Sequence, residues 1–321
     1  MNPFLVGLIA GLVVVSLLMG VAAYAIWFER KFAALMQNRP GPTQVGWAGL
    51  LQSIADLLKL LQKEEIVPKD ADRALFNLAP PLGVLCVLIG MAVFPWAPGL
   101  IPADLDVGLL FALSLTSLMT IPVWMAGWAS NNKYALLGGM RAAAQAVSFE
   151  VPLLLSAMVP VVLTGSFRIS DIVAAQAGGR WFAWWPPGPG TVAFALFMLT
   201  SLAEANRIPF DIPEAESELV AGITTEYTGM KFGLFYLAEY LHTLIGSFLA
   251  AALFLGGWDG PGPDGAWWMV VKGLGLFACI FWVRWTLLRF RADQFMAMCW
   301  RVFVPVSVCL VAVAAVWRVY T

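Results

Sequence analysis

Histidine occurs once in this 321-residue chain, as His242, and cysteine four times, as Cys86, Cys279, Cys299 and Cys309, never in a C-x-x-C pair. An iron–sulfur, zinc or haem site needs more ligands at closer spacing than that, so the chain is expected to bind no metal or redox cofactor of its own. Charge is scarce too. Charged residues are 12% of the chain, and 19 Lys and Arg against 20 Asp and Glu leave a net charge of −1. Without a basic excess there is no electrostatic footprint for nucleic acid. The start lacks a positive n-region and a small-residue cleavage motif, so it reads as a retained first span and not as a signal peptide. No polar stretch of domain length exists, and no inverted repeat relates the two halves, which counts against an ordinary secondary carrier.

What fills the chain instead is apolar: 60% hydrophobic and 13% aromatic residues, with a mean hydropathy of +0.80, outside the range of soluble domains. A helix needs about 20 apolar residues to cross the hydrocarbon of a bilayer. Eight stretches qualify: 3–28, 80–101, 107–129, 142–164, 190–207, 232–256, 267–287 and 298–318. The expected fold is an all-α integral membrane protein, a single polytopic domain over 1–321 with eight transmembrane helices and an interfacial amphipathic helix in the first cytoplasmic loop. Of the 19 cations, 15 fall in the odd-numbered loops, which the positive-inside rule assigns to the cytoplasm or matrix. Both termini are then periplasmic. The opposite side receives Arg168, Arg180, Arg318 and, by snorkelling, Lys272, between short linkers rich in Pro and Gly. Function is therefore sought in the cytoplasmic loops 29–79 and 204–231.

In the first loop, Gly49–Glu64 sets Leu50, Leu51, Ile54, Leu57, Leu58 and Leu61 on one side at helical spacing, with Gln52, Asp56, Lys59 and Lys63 opposite. A helix so short and two-faced lies in the interface. It reads either as scaffold, with Asp56 and Lys59 a surface i,i+3 pair, or as the roof of a cavity through which a lipid-soluble substrate climbs out of the bilayer. Upstream, Arg39-Pro40-Gly41-Pro42 is a rigid turn presenting a cation, and Glu29-Arg30-Lys31 marks the exit of the first span.

Carboxylates at bilayer depth cost about 2.5–3.5 kcal/mol even on the lenient insertion scale and are functional candidates by default. Glu150 lies nine residues into the fourth span, about 13 Å from its cytoplasmic end. Glu239 is about 12 Å into the sixth, with His242 at i+3 as a satisfied buried partner. The fifth span has too few apolar residues unless it continues through Glu204. Beyond it comes the densest acidic stretch, Glu204, Asp211, Glu214, Glu216, Glu218 and Glu226, with only Arg207 and Lys231 as cations between and beside them. Repulsion and desolvation there are expected to raise carboxylate pKa values, as a proton relay needs. Asp211 and Glu214 also fit a capping box, which explains two of the acids and not six.

The string Glu204-Ala-Asn-Arg-Ile-Pro-Phe-Asp-Ile-Pro-Glu-Ala-Glu-Ser-Glu-Leu-Val-Ala-Gly, running on to Glu226-Tyr227 and Gly229-Met-Lys-Phe, resembles the signature of the membrane-embedded H subunits of the proton-pumping NADH:quinone oxidoreductases, respiratory complex I. So do Glu29-Arg-Lys, Gln37-Asn-Arg-Pro-Gly-Pro, Gly49-Leu-Leu-Gln-Ser-Ile-Ala-Asp, Asn132-Lys-Tyr-Ala-Leu-Leu-Gly, Arg141-Ala-Ala-Ala-Gln, Phe149-Glu150-Val and Leu255-Gly-Gly-Trp. Thr43-Gln44 departs from the family's usual Asn-Arg. The resemblance implies a non-redox subunit of a translocase, inactive alone, that forms the membrane side of a quinone chamber and couples quinone reduction to proton translocation. Its substrate would be quinone, with FMN and iron–sulfur clusters held by partner subunits. The expected partners are hydrophilic quinone-module subunits on the cytoplasmic face, small membrane subunits and antiporter-like subunits alongside, and lipid. By the same resemblance Glu29, Arg30, Arg39, Asp56 and Lys59 line or brace the chamber, and Glu150, Glu204, Asp211, Glu214, Glu216, Glu218, Glu226 and Glu239 form the proton path. The implied location is the bacterial inner membrane, with the mitochondrial inner membrane as alternative. Competing readings are the homologous coupling subunit of a membrane-bound hydrogenase, a stand-alone proton-coupled carrier, and a structural anchor.

Overall fold

The computed structural model describes residues 3–214 and 216–320; the side chains of 3–14, 216 and 217 lie outside the description. In chain order the helices are α1 (Pro3–Met36), α2 (Gln52–Gln62), α3 (Arg73–Gly90), α4 (Gly108–Leu118), α5 (Thr120–Ala129), α6 (Lys133–Thr164), α7 (Ile169–Ala175), α8 (Pro189–Glu204), α9 (Glu216–Leu219), α10 (Gly229–Phe254), α11 (Ala266–Thr286), α12 (Ala292–Met298) and α13 (Val304–Tyr320). Among the described residues the only β pairing is an isolated bridge between Ala97 and Leu100. Among the described residues six segments are long and apolar enough to cross a bilayer: 73–93, 108–129, 133–164, 229–254, 266–286 and 292–320. The chain is a multi-pass membrane protein. The 34-residue α1 and the 16-residue apolar α8 stand beside these six.

Helix α10 is the axis of the bundle. Within its most apolar window 89% of the residues are buried, against 28% in α11 and 22% in the segment 292–320. It packs against α1, α3, α8 and α11, so any polar side chain it carries must find its partner inside the protein. Its C-terminus is pinned from two directions. Buried Gln176 donates to the carbonyls of Ile172, Ala252 and Leu253 at 3.1, 3.0 and 3.2 Å and accepts from the N–H groups of Phe182 and Gly256. Lys272 reaches the carbonyls of Leu255 (2.5 Å), Gly257 (3.2 Å) and Asp259 and stacks over the Trp181 ring at 4.0 Å. A cation at the carbonyl end of a helix meets the negative pole of its dipole.

Span boundaries move where capping outweighs hydropathy. The second span, expected at 80–101, runs 73–93, because the Asp72 side chain accepts from the Ala74 and Leu75 N–H groups. Pro80 and Pro81 sit inside the helix, and Phe94 turns extended before Pro95. The fourth starts at Lys133 instead of 142, capped by Asn132. Glu150 therefore lies about 26 Å along its helix, not about 13 Å. The fifth stops at Glu204, short of the expected 207, because Asn206 takes a positive φ of 50°. The last begins at Ala292 rather than 298 and passes through a π-helical turn, Cys299–Phe303, next to Pro305.

Candidate functional site

The amphipathic helix is α2, with Leu51, Ile54, Leu57, Leu58 and Leu61 about half exposed. The Ser53 hydroxyl ties it to α1 by donating to the Ala23 carbonyl at 2.9 Å. The expected Asp56–Lys59 pair is not formed. Asp56 instead accepts from Arg30 at 2.6 Å and from Gln52 at 3.1 Å, because the end of α1 brings a longer, forked cation to it. Lys59 is exposed and has no ion-pair partner among the described residues. Arg39 donates to Gln37 at 2.6 Å, within its own turn.

Glu29, by contrast, is no boundary marker. It is buried with 4% exposure and accepts from the Tyr240 hydroxyl at 2.5 Å and from the Arg284 guanidinium. The residue that organises these groups is Arg207, which is 1% exposed. Its Nε lies 2.9 Å from Glu239 Oε1 and its Nη1 3.5 Å from Glu29 Oε2. The guanidinium carbon stands 4.1 Å from the centre of the Tyr240 ring. The nitrogens are within ion-pair range yet off the hydrogen-bond direction, so the attraction is chiefly coulombic. Four elements meet here: α1 supplies Glu29, the turn after α8 supplies Arg207, α10 supplies Glu239 and Tyr240, and α11 supplies Arg284. A charge buried this deeply persists only with its partners in place.

The acidic loop leans on this cluster. Burial raises the Asp211 carboxyl despite nearby Arg284 and Arg289. Burial, then the neighbouring Glu239 and Asp211 carboxylates, hold Glu214 well above the usual carboxylate range. Both therefore bind protons more tightly in the seated loop than in solvent. Seating is fully favoured below the ordinary carboxylate range and weakens as pH rises through the raised values. A spin label on Val220→Cys, an exposed loop position, is expected to gain mobility as pH rises through the Glu214 titration. The same label should lose most of that dependence in Glu214→Gln, and an unchanged dependence there would contradict the assignment.

Not every acid of the loop shares this environment. Glu218 is exposed and accepts from Arg141 at 2.5 Å and Arg289 at 2.6 Å, and the Arg141 hydrogen bond holds it below the usual range. The expectation that Arg207 and Lys231 are the only compensating cations is corrected by these arginines from α6 and beyond α11. Lys231 itself turns away, to Glu65 at 3.1 Å. Glu226 accepts from Asn132 at 2.6 Å at the rim of an open 380 Å³ cavity shared with Lys69, Asp70 and Lys133. The side chain of Glu216 lies outside the described residues. Asp211 and Glu214 do not cap a helix, since 211–214 is a turn and α9 begins at Glu216. The Glu214 N–H still faces the Asp211 carboxylate.

His242 does not hold Glu239 as expected. It stands instead 3.5 Å from Glu204 on α8, because Arg207 takes Glu239. Glu150, half-buried on α6, has no hydrogen bond or ion pair among the described residues. The structure thus brings Glu29, Asp211, Glu214 and Glu239 together around Arg207, and leaves Arg30, Arg39, Asp56, Lys59, Glu150, Glu218 and Glu226 apart from it. Sequence reasoning missed Tyr240 and the buried role of Arg284. The available signal was a single cation closing the apolar run of α11.

The loop is seated by shape as well as charge. Buried Gln145 donates to the carbonyls of Ala203 and Phe210 at 2.8 and 2.9 Å, and the Phe210 ring lies 5.7 Å from Phe290 and 5.0 Å from Phe295. Gly222 takes φ 53°, and a Cβ there would stand 1.9 Å from the Pro213 carbonyl oxygen. One on Gly138 of α6 would stand 2.8 Å from the same atom.

Residues 9–315 match the family model described as NADH dehydrogenase. Among similar proteins, the NADH-quinone oxidoreductase H subunit of Chlorobaculum tepidum is 41% identical over 97% of this chain and 91% of its own length. That of Dehalococcoides mccartyi strain CBDB1 is 46% identical over 95% of this chain and 83% of its own. That of Syntrophotalea carbinolica is 43% identical over 100% of this chain and 99% of its own. With matches of this extent from end to end, the chain belongs to the NADH dehydrogenase family that includes the H subunits of the NADH-quinone oxidoreductases.

Proposed function

We propose that this chain is the membrane subunit of a proton-translocating NADH:quinone oxidoreductase that forms the membrane side of the quinone chamber and passes the electrostatic consequence of quinone reduction to a path of carboxylates. The observation that carries the reading is the ion cluster beside the acidic loop, in which Glu29 and Arg207 are buried and Glu239 and Arg284 are largely so. Such a cluster responds to a new charge at the chamber because its groups are desolvated and poorly screened. The chain holds no redox centre in this reading; quinone is the substrate, and FMN and the iron–sulfur clusters belong to partner subunits. Among the described residues, no group of three or more His, Cys, Asp and Glu is arranged to hold a metal ion.

In this arrangement α1, α3, α4 with α5, α6, α8, α10, α11 and α12 with α13 are the eight spans, with both termini periplasmic in a bacterial inner membrane. Glu29, Arg30, Arg39, Asp56 and Lys59 line or brace the chamber. Two-electron reduction leaves the quinone negatively charged. Its proton demand draws on Asp211 and Glu214 and then on Glu239, Glu204 and Glu150, with Glu216, Glu218 and Glu226 along the loop. Hydrophilic quinone-module subunits cover the cytoplasmic loops, and small and antiporter-like membrane subunits continue the path laterally.

The test is to substitute Glu204→Gln and Glu150→Gln in the whole complex. Coupled quinone reductase activity is expected to fall severalfold while the complex stays assembled and its NADH-to-ferricyanide activity is kept. Normal quinone reduction and pumping in both variants would sink the relay.

A further inference from the structure

His242 is the chain's only histidine and is 4% exposed. Its Nε2 lies 3.5 Å from Glu204 Oε1, too far for a good hydrogen bond, and has no hydrogen-bond partner among the described residues. A buried nitrogen left in this state is unsatisfied, which a closed structural pair would not leave. His242 and Glu204 line a small cavity of about 10 Å³ whose walls include Thr116, Thr120, Phe149 and Asn206, enough for one water molecule. That water would have a carboxylate, an imidazole and a threonine hydroxyl as partners.

The surroundings decide what the pair does. In the cavity wall Glu204, from α8, is the only charged group; α4, α5 and α6 contribute hydroxyls and apolar side chains. On α10 the nearest acid, Glu239, is turned to Arg207. Among the described residues no arginine or lysine pairs with Glu204, and the imidazole is the one base beside it.

We propose that His242 is a proton-carrying residue of the path, exchanging one proton with Glu204 through a single bridging water. This rests on the relay reading above and adds a base to a path otherwise made of carboxylates. With His242 in the tautomer bearing its hydrogen on Nδ1, the O–H bond of the Glu204 carboxyl breaks and its proton passes to the water. The water gives up one of its own, and an N–H bond forms at Nε2. No electron or other group moves. The product is a carboxylate facing an imidazolium, so a proton is parked inside the bundle without an isolated buried charge.

The experiment is a pH profile of coupled quinone reduction in native membranes containing the whole complex, for the parent, His242→Gln, His242→Asn and Glu204→Gln, with NADH-to-ferricyanide activity as the assembly control. The parent is expected to show a single-proton limb in this profile. In His242→Gln and His242→Asn that limb should vanish and the rate fall at least fivefold. A parent profile with no such limb, which needs no variant to measure, overturns the proposal. So does a histidine variant whose profile keeps its shape, whatever its absolute rate. If Glu204→Gln is impaired while the histidine variants match the parent, only the role of His242 fails. If Glu204→Gln is also normal, the place of Glu204 in the relay fails with it.

Discussion

Arg207→Met is expected to remove coupled quinone reduction almost completely, with a loss of about 100-fold or more. The guanidinium is the shared counter-charge of Glu29 and Glu239, whose side chains are 5% and 18% exposed, so solvent replaces little of what is lost. Breaking a buried pair by removing one partner costs about 3–5 kcal/mol, because the other charge is left uncompensated, and about 1.4 kcal/mol is a factor of ten. The cluster can recover only by protonating an acid or by letting the acidic loop lift away, and either outcome disconnects the chamber from the path. Arg207→Lys should retain more activity than Met but less than the parent, since a point charge cannot hold Glu239 and Glu29 while standing over the Tyr240 ring. Adding Glu239→Gln to Arg207→Met should restore assembly and thermal stability without restoring turnover, a non-additivity expected of groups in contact. Quinone reductase rate, assembly on native gels and melting of the solubilised complex measure these effects. Near-parental quinone reduction in Arg207→Met would show that the cluster is not needed for coupling.

Gly222→Val is expected to be nearly as damaging by a different route. At φ 53° a β-branched residue is strained, and its Cβ would stand 1.9 Å from the Pro213 carbonyl oxygen, a backbone atom that no rotamer change can move aside. Relief requires separating the stretch of chain at Pro213 from the turn at Gly222, which unseats Asp211 and Glu214 from the arginines. A loss of at least tenfold in quinone reductase activity is expected, with NADH-to-ferricyanide activity unchanged. Gly99→Val separates strain from clash. It shares the positive φ, at 79°, but a Cβ there meets nothing within 4 Å, so its effect should stay within about twofold. Equal losses in the two variants would mean that the loop does not depend on this close approach.

The membrane character, the α2 helix and the acidic loop were legible in the sequence because each follows from local pattern: apolar length, a two-faced period and charge density. The ends of the spans were less so, since Asp72 and Asn132 cap α3 and α6 across residues that hydropathy weighs as loop. The pairing of charges was not legible at all. Glu29 and Arg284 are 255 positions apart and meet because α1 and α11 pack against α10 and against each other. The same holds for Arg141 with Glu218 and for His242, whose partner was decided by Arg207's prior claim on Glu239. One-dimensional spacing fixes neighbours on a single helix, whereas which acids titrate is decided by cations arriving from other helices.

The clamp at the end of α10 has a mechanical meaning. Gln176 and Lys272 hold its last carbonyls and the turn beyond them, while Glu239 lies fifteen residues back, an arm of about 22 Å. A helix fixed at one end and charged toward the other is a lever with its fulcrum at Phe254. A 1 Å shift at Glu239 then corresponds to a tilt of only about 3°, small enough for the packed bundle to follow, and the flanking helices α3 and α8 are the surfaces against which that tilt is delivered.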